Sequence, residues 1–222
     1  MSGPTARSTD RHHRAAAALA LLSPPRDSRV LVVQCANGHQ YIKTHSAIGT
    51  VSGFPMVPWS MTDRAVYVVR DPRAVAVSLS KYLGDPIDEV IELMALEDHY
   101  FGKAMGLFST MGTWSAHVKS WAGEQRFPVL VLRYEDLGRA KFTELLEFLE
   151  LELDVDRLNK ALDLTSFNAL KARELAEGFA EQGTEGGPFF RRGGHDWPEL
   201  TPEQAQRIAD THETVMERYG YG

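Results

Sequence analysis

The sequence predicts an α/β protein with a central parallel sheet and helices on both faces. Three observations carry that expectation. Short apolar runs rich in β-branched residues stand at Val30–Val33, Ala65–Val69 and Val129–Leu132. Amphipathic segments with helical spacing alternate with these runs. Polar or charged residues follow each run, on the edge where open α/β sheets place their ligands.

Taken in order, residues 1–14 are polar and expected to fray. Residues 15–22 are alanine-rich and read as a helix stopped by Ser23-Pro24-Pro25. This stretch follows Arg11-His12-His13-Arg14 and faintly resembles a signal peptide, but it is short and has no small-residue cleavage site. The first strand leads to Asn37-Gly38, a hairpin signal, and then to a second strand through Tyr41-Ile42 into Lys43-Thr44-His45. Residues 46–62, with Gly53, Pro55 and Pro58, read as loop. Ala65–Val69 is the clearest buried strand. Asp71-Pro72 after it predicts a helix with Asp71 as N-cap and proline at the first position. A second helix is expected over Ile87–Tyr100, capped by Asp85, and a third over Trp114–Ala122. The strand Val129–Leu132 leads into Tyr134-Glu135-Asp136. Helical spacing returns at 142–149 and over 154–180, with a break near Thr165-Ser166. A Gly-rich, Arg-containing segment fills 183–197. Thr201-Pro202-Glu203 opens a last helix that runs to about Tyr219.

With no repeat, low-complexity tract or linker, the 222 residues read as one domain. Hydrophobic residues make up 43% and charged residues 24%, which excludes a disordered, collagenous or coiled-coil chain. The net charge of −6 argues against a nucleic-acid binder. No apolar run approaches the ~18 residues of a membrane span. The single cysteine, Cys35, makes no internal disulfide and no Cys-ligated zinc site, so a reducing, cytoplasmic setting is expected. No metal role is expected of His12-His13, because no further ligand stands at helical spacing.

The strand ends converge on a cationic site. Lys43 and His45 follow one strand, Arg70 another and Tyr134 a third, while Arg191-Arg192-Gly193-Gly194 adds a basic glycine-rich loop. Guanidinium groups beside bare backbone N–H groups suit a polyanionic ligand.

Six segments, in order, carry a family resemblance. Ile42-Lys43-Thr44-His45, Tyr67-Val68-Val69-Arg70-Asp71-Pro72 running on to Ser78, and Gly112-Thr113-Trp114 to Trp121 are the first three. Leu132-Arg133-Tyr134-Glu135-Asp136-Leu137, Thr165-Ser166-Phe167, and Phe190-Arg191-Arg192-Gly193 with Asp196-Trp197 complete the set. Together they resemble the motifs of the PAPS-dependent sulfotransferases, small bacterial members above all, and they cover roughly residues 41–222. The resemblance implies the P-loop-like sulfotransferase fold, with PAPS as co-substrate, PAP as product and no metal. It implies that Arg70 and Ser78 hold the 3′-phosphate, with Arg191, Arg192 and the Gly193 N–H clamping it from the loop. Tyr134, Thr165 and Phe167 would line the adenine pocket. His45 would be the general base toward a hydroxyl of a small-molecule acceptor, and Lys43 would stabilise charge on the transferring group.

Two departures stand beside the resemblance. The family opens with a strand and a 5′-phosphosulfate-binding loop, and no counterpart is found; counting back from Lys43 lands before Met1, so the expectation is a chain that begins late. The stretch Trp197–Pro202 lacks the lysine and valine of the animal dimerisation motif, so no dimer is carried over. The alternative function is a catalytically inactive relative that binds nucleotide or serves as a scaffold. A small-molecule kinase finds no support, since no Gly-x-x-x-x-Gly-Lys occurs. Trp114, Trp121 and His117 read as residues that pack and satisfy hydrogen bonds, and Glu135-Asp136 as a pair that orients its neighbours. Phe54, Met56 and Trp59 hint at an apolar or aromatic acceptor.

Overall fold

The computed structural model of the chain describes residues 32–34, 40–51, 53–97, 100–101, 109–178, 188–191 and 197–222. The expected helix at 15–22 and most of the glycine-rich segment lie outside the described residues.

The strands β1 (Val32–Gln34) and β2 (Gln40–Ile42) pair antiparallel, with Val32 opposite Ile42, as a hairpin requires; the Asn37-Gly38 turn itself lies outside the described residues. The second strand stops at Ile42, and Lys43-Thr44-His45 runs on as irregular chain. Within the expected loop, β3 (Thr50–Val51) and β4 (Phe54–Pro55) make a small antiparallel pair. A 3₁₀ turn follows at Trp59–Met61.

Among the described residues the parallel sheet consists of β5 (Ala65–Val69) and β8 (Val129–Arg133), in register from Ala65–Val129 to Val69–Arg133. The crossover between them contains α1 (Pro72–Leu83), α2 (Ile87–Met94), the antiparallel pair β6 (Tyr100–Phe101) with β7 (Ser109–Thr110), and α3 (Trp114–Ala122). After β8 come a 3₁₀ turn at Tyr134–Asp136, α4 (Arg139–Phe148), α5 (Val155–Leu164), α6 (Phe167–Glu177) and α7 (Pro202–Arg218).

The helix starts follow their capping chemistry. The Asp71 carboxylate accepts the Arg73 N–H at 2.8 Å, and Pro72 occupies the first position of α1. The Thr113 hydroxyl accepts the Ala116 N–H at the start of α3. In α7, Thr201 and Gln204 form a reciprocal capping box. Two expectations change at α2. Its N-cap is Pro86, while the Asp85 carbonyl accepts the Ser80 hydroxyl instead. The helix ends at Met94 because the positions that would continue its buried stripe of Val90, Ile91 and Met94 are Glu97 and Asp98.

Tyr67, Val69 and Val131, on one face of the β5–β8 pair, pack with Val118 of α3 and Val215 and Met216 of α7. A second cluster joins α1, α2 and α7 through Ala76, Val90, Ile91 and Ile208. A third, of Val57, Trp121 and Phe127, seats the 46–62 segment against α3. No described helix is long and apolar enough to cross a membrane.

Candidate functional site

Parallel pairing sets the geometry at the carboxyl edge. With Val69 opposite Arg133, the next residues out, Arg70 and Tyr134, become neighbours. The Arg70 guanidinium lies 4.4 Å from the Tyr134 ring centroid. Among the described residues it makes no hydrogen bond or ion pair, so its planar fork of donors stays available to an anion. Arg73, three residues on, is consumed internally: it bonds both oxygens of Asp71 and the Tyr221 carbonyl, and lies 4.6 Å from the Trp197 ring centroid. Asp71 therefore pairs with Arg73 rather than with Arg70. Arg133 sits over the Tyr221 ring, its Nε 3.7 Å from the Asp136 carboxylate. These three arginines border a cavity of about 370 Å³. Ala74 also lines it, and Ser78 lies one helical turn further along the same side of α1.

Glu135 behaves as an orienting residue. Its Oε1 accepts the Asp71 N–H at 3.0 Å and its Oε2 accepts the Tyr221 hydroxyl at 2.7 Å.

A second group forms where the chain leaves β2. Lys43 and His45 are both exposed, but the main chain around them is tied down by α3. The His45 carbonyl accepts a hydrogen bond from His117 Nε2 at 3.1 Å. The Ser46 carbonyl accepts the buried Trp121 Nε1–H at 3.0 Å, and the Ile48 N–H donates to the Ser120 hydroxyl at 3.0 Å. A carbonyl can only accept, so His117 carries its proton on Nε2, and in the neutral ring Nδ1 accepts the Tyr67 hydroxyl at 2.9 Å. Burial pushes the His117 pKa down; the His45 carbonyl opposes the shift and the nearby His45 imidazole adds to it. The Tyr67 ring stacks on both His117 and Trp121. Its hydroxyl pKa is raised, by burial first and then by Tyr219, so it remains a donor.

A third group is built on α5 and α6. Thr165 caps the end of α5, where its hydroxyl bonds the Ala161 carbonyl, and Phe167 opens α6. Phe167 meets Phe190 edge-on, with ring centroids 6.3 Å apart. The buried Glu174 carboxylate accepts the N–H groups of both Phe189 and Phe190. Arg191, exposed, is the next residue on that anchored segment. Thr165, Phe167 and Arg191 thus share one neighbourhood, whereas Arg192 and Gly193 lie outside the described residues.

The sequence reading missed Glu174, Ser120, Tyr221 and the structural roles of Arg73 and Arg133. A lone glutamate on an amphipathic helix or a penultimate tyrosine carries no local pattern that marks it. For Arg73 a signal existed, since an arginine two residues after an N-cap aspartate can reach its carboxylate.

A parallel β–α crossover with helices packed on its sheet, carrying at its carboxyl edge a half-buried arginine that makes no hydrogen bond or ion pair among the described residues and an aromatic ring beneath it, defines an α/β protein. The sulfotransferase domain family model matches residues 23–220, and the chain belongs to the PAPS-dependent sulfotransferase family. It is 28% identical over 176 residues to sulfotransferase 1B1 of Mus musculus, covering 76% of this chain and 57% of that protein. It is 25% identical over 207 residues to sulfotransferase 1 family member D1 of Rattus norvegicus, covering 89% of this chain and 68% of that one. The chain thus spans a little over half the length of the mouse relative. Its fold resembles that of a solved mouse sulfotransferase, SULT7A1, complexed with PAP (TM-score 0.57, 21% identity, 78% of this chain and 64% of the other).

Proposed function

We propose that this protein transfers a sulfuryl group from PAPS to a hydroxyl of a small-molecule acceptor, in the cytoplasm. The observation that carries this reading is the unpaired Arg70 guanidinium on the Tyr134 ring at the carboxyl edge of the sheet. The neighbouring arginines are held by carboxylates, and this one is free to bind a phosphate bidentately.

The residues present fit the donor. Arg70 and Ser78 take the 3′-phosphate, with Arg191, Arg192 and the Gly193 N–H closing on it. Tyr134, Thr165 and Phe167 supply an aromatic and hydroxyl lining for the adenine. PAPS, when bound, supplies the sulfuryl group and a phosphate leaving group. His45 accepts the acceptor hydroxyl proton as the oxygen bonds to sulfur and the sulfur–oxygen bond to the phosphate breaks. Lys43, two residues away, offsets the negative charge that spreads over the sulfuryl oxygens and the departing phosphate. His117, Ser120 and Trp121 fix the main chain from His45 to Ile48, so the base is held in place through its backbone while its imidazole stays accessible.

The test is calorimetric titration of 3′,5′-ADP (PAP) into the protein with 5′-ADP as control, followed by a sulfate-transfer assay on alcohols and phenols. PAP is expected to bind more tightly than 5′-ADP, and His45→Ala to abolish transfer while leaving PAP affinity intact. Equal affinity for the two nucleotides would overturn the reading. PAP binding without transfer to any acceptor would favour an inactive nucleotide-binding relative.

A further inference from the structure

The two peptide groups that flank Arg70 are both held by side chains from elsewhere in the chain. The carbonyl before it, on Val69, accepts the Tyr221 hydroxyl at 3.3 Å. The N–H after it, on Asp71, donates to Glu135 Oε1 at 3.0 Å. The clamp closes on itself, because the single Tyr221 hydroxyl proton is shared: its main, shorter bond is to Glu135 Oε2 at 2.7 Å, and the Val69 carbonyl is its weaker second acceptor. Fixing one peptide on each side of a Cα leaves its φ and ψ little freedom, so the direction in which Arg70 leaves the backbone is set before any ligand arrives.

Tyr221 reaches this point through its own local geometry. Helix α7 ends with Gly220 at φ +69°, a left-handed conformation that suits glycine. The Tyr221 N–H bonds the Met216 carbonyl and the Gly220 N–H the Glu217 carbonyl, the paired bonds of a Schellman ending. A side chain at 220 would press on the Arg133 guanidinium at 3.3 Å. The turn points Tyr221 back under the sheet edge, where it is 4% exposed, and Arg73 grips its carbonyl at 2.5 Å. Burial and the Glu135 hydrogen bond raise the Tyr221 pKa, which keeps the hydroxyl protonated and donating.

We propose that Tyr221 and Glu135 are positioning residues that pre-aim Arg70 at the 3′-phosphate of the nucleotide. This rests on the donor site proposed above. The clamp acts on Arg70 through its two flanking peptides, while Tyr221 and Glu135 also line the cavity beside it. Its removal therefore weakens the part of binding that depends on the 3′-phosphate and spares the rest.

The experiment compares PAP and 5′-ADP affinities in the wild type, Tyr221→Phe, Glu135→Ala and Glu135→Gln, with hydrogen exchange at the Asp71 amide as a ligand-free readout. Tyr221→Phe should weaken PAP roughly tenfold, the effect of losing a hydrogen bond to a charged group, and leave 5′-ADP unchanged. Glu135→Gln keeps a carbonyl for the Asp71 N–H and a polar partner for Tyr221, so it should retain wild-type PAP preference and slow exchange. Glu135→Ala should lose both. A wild type with no PAP preference overturns the donor site and this inference with it. A wild type that prefers PAP while Tyr221→Phe keeps the same preference overturns the clamp alone. If Tyr221→Phe weakens both nucleotides or fails to fold, the glutamate pair decides: Glu135→Gln as impaired as Glu135→Ala overturns the proposal, and rescue by glutamine supports it.

Discussion

The Arg70 edge and the His45 segment solve one problem in two ways. Each leaves a functional side chain accessible and fixes the backbone beneath it. At Arg70 the fixing groups come from two distant parts of the chain, residues 135 and 221, and Tyr221 is only 4% exposed. At His45 they come from one face of one helix, residues 117, 120 and 121. The first clamp is built into the sheet and contains no histidine. The second hangs on α3 and includes one. On the proposed roles of Arg70 and His45, the difference places binding and proton transfer on separable scaffolds, with separate sensitivities to mutation and pH.

The largest break comes at Trp121. Its ring is buried with Val57 and Phe127, stacks on Tyr67, and its N–H bonds the Ser46 carbonyl. Trp121→Ala should cost about 3–5 kcal/mol of stability. Denaturant unfolding measures the loss. The His45 segment should come free before the Arg70 edge, which limited proteolysis near residues 44–50 would detect.

Arg70 and Arg73 sharpen the contrast within one loop. Arg70→Ala should weaken PAP binding by roughly 2–5 kcal/mol, the scale for losing one partner of a buried charge pair. It should leave stability within about 0.5 kcal/mol, since Arg70 has no hydrogen bond or ion pair among the described residues to lose. Arg73→Ala strips the buried Asp71 carboxylate of its cation and the Tyr221 carbonyl of its donor, and should destabilise by about 1–3 kcal/mol. Paired isothermal titration and thermal unfolding separate the two. An Arg70→Ala protein that is destabilised as much as Arg73→Ala would remove the distinction.

How much of this could be read beforehand depends on the range of the interaction. Helix starts were legible, because Asp71, Thr201 and Pro202 act within one turn. So was the β1–β2 hairpin, whose signal sits between its strands, and so were the positions of Arg70 and Tyr134, which follow apolar runs that pair in register. The end of α2 was misjudged because the apolar count continued to Tyr100 while the buried stripe ended at Met94. The Glu135–Tyr221 pair spans 86 residues and the Ile48–Ser120 bond 72, and no local period encodes either. The aromatic and histidine residues of α3 were read as packing with satisfied hydrogen bonds, and they pack and bond. Their hydrogen bonds to the 45–48 backbone show only once the loop is laid across the helix.

Acid tests the bridge between the two regions. His212 of α7 is 3% exposed, bonds the Ser115 hydroxyl at 2.9 Å and lies against the Trp114 ring, tying α7 to α3. Burial lowers its pKa from 6.5 to about 4. Between those values the unfolded chain binds a proton that the folded chain refuses. Stability present at neutral pH is therefore lost as pH falls from about 6.5 toward 4, by roughly 3 kcal/mol at most. His117 has a lowered pKa as well and adds to the loss in the same direction. Urea unfolding at stepped pH should show this slope, and His212→Gln should flatten it. A slope unchanged in that variant would place the titration elsewhere.

The smallest loss expected among the backbone ties is the most specific to the His45 side. The Ser120 hydroxyl accepts the Ile48 N–H and donates to the His117 carbonyl one turn back. Ser120→Ala removes little volume and leaves the Ile48 N–H without its acceptor, at a cost of about 1 kcal/mol. The local consequence is larger than that figure implies. Ile48 closes the tied stretch that begins at His45, so slack at Ile48 lets the segment pivot about the His117 and Trp121 bonds. Transfer should fall severalfold through kcat while PAP affinity holds, because Arg70 and its clamp are untouched. The opposite pattern, weakened PAP with unchanged turnover, would mean that the two scaffolds are one.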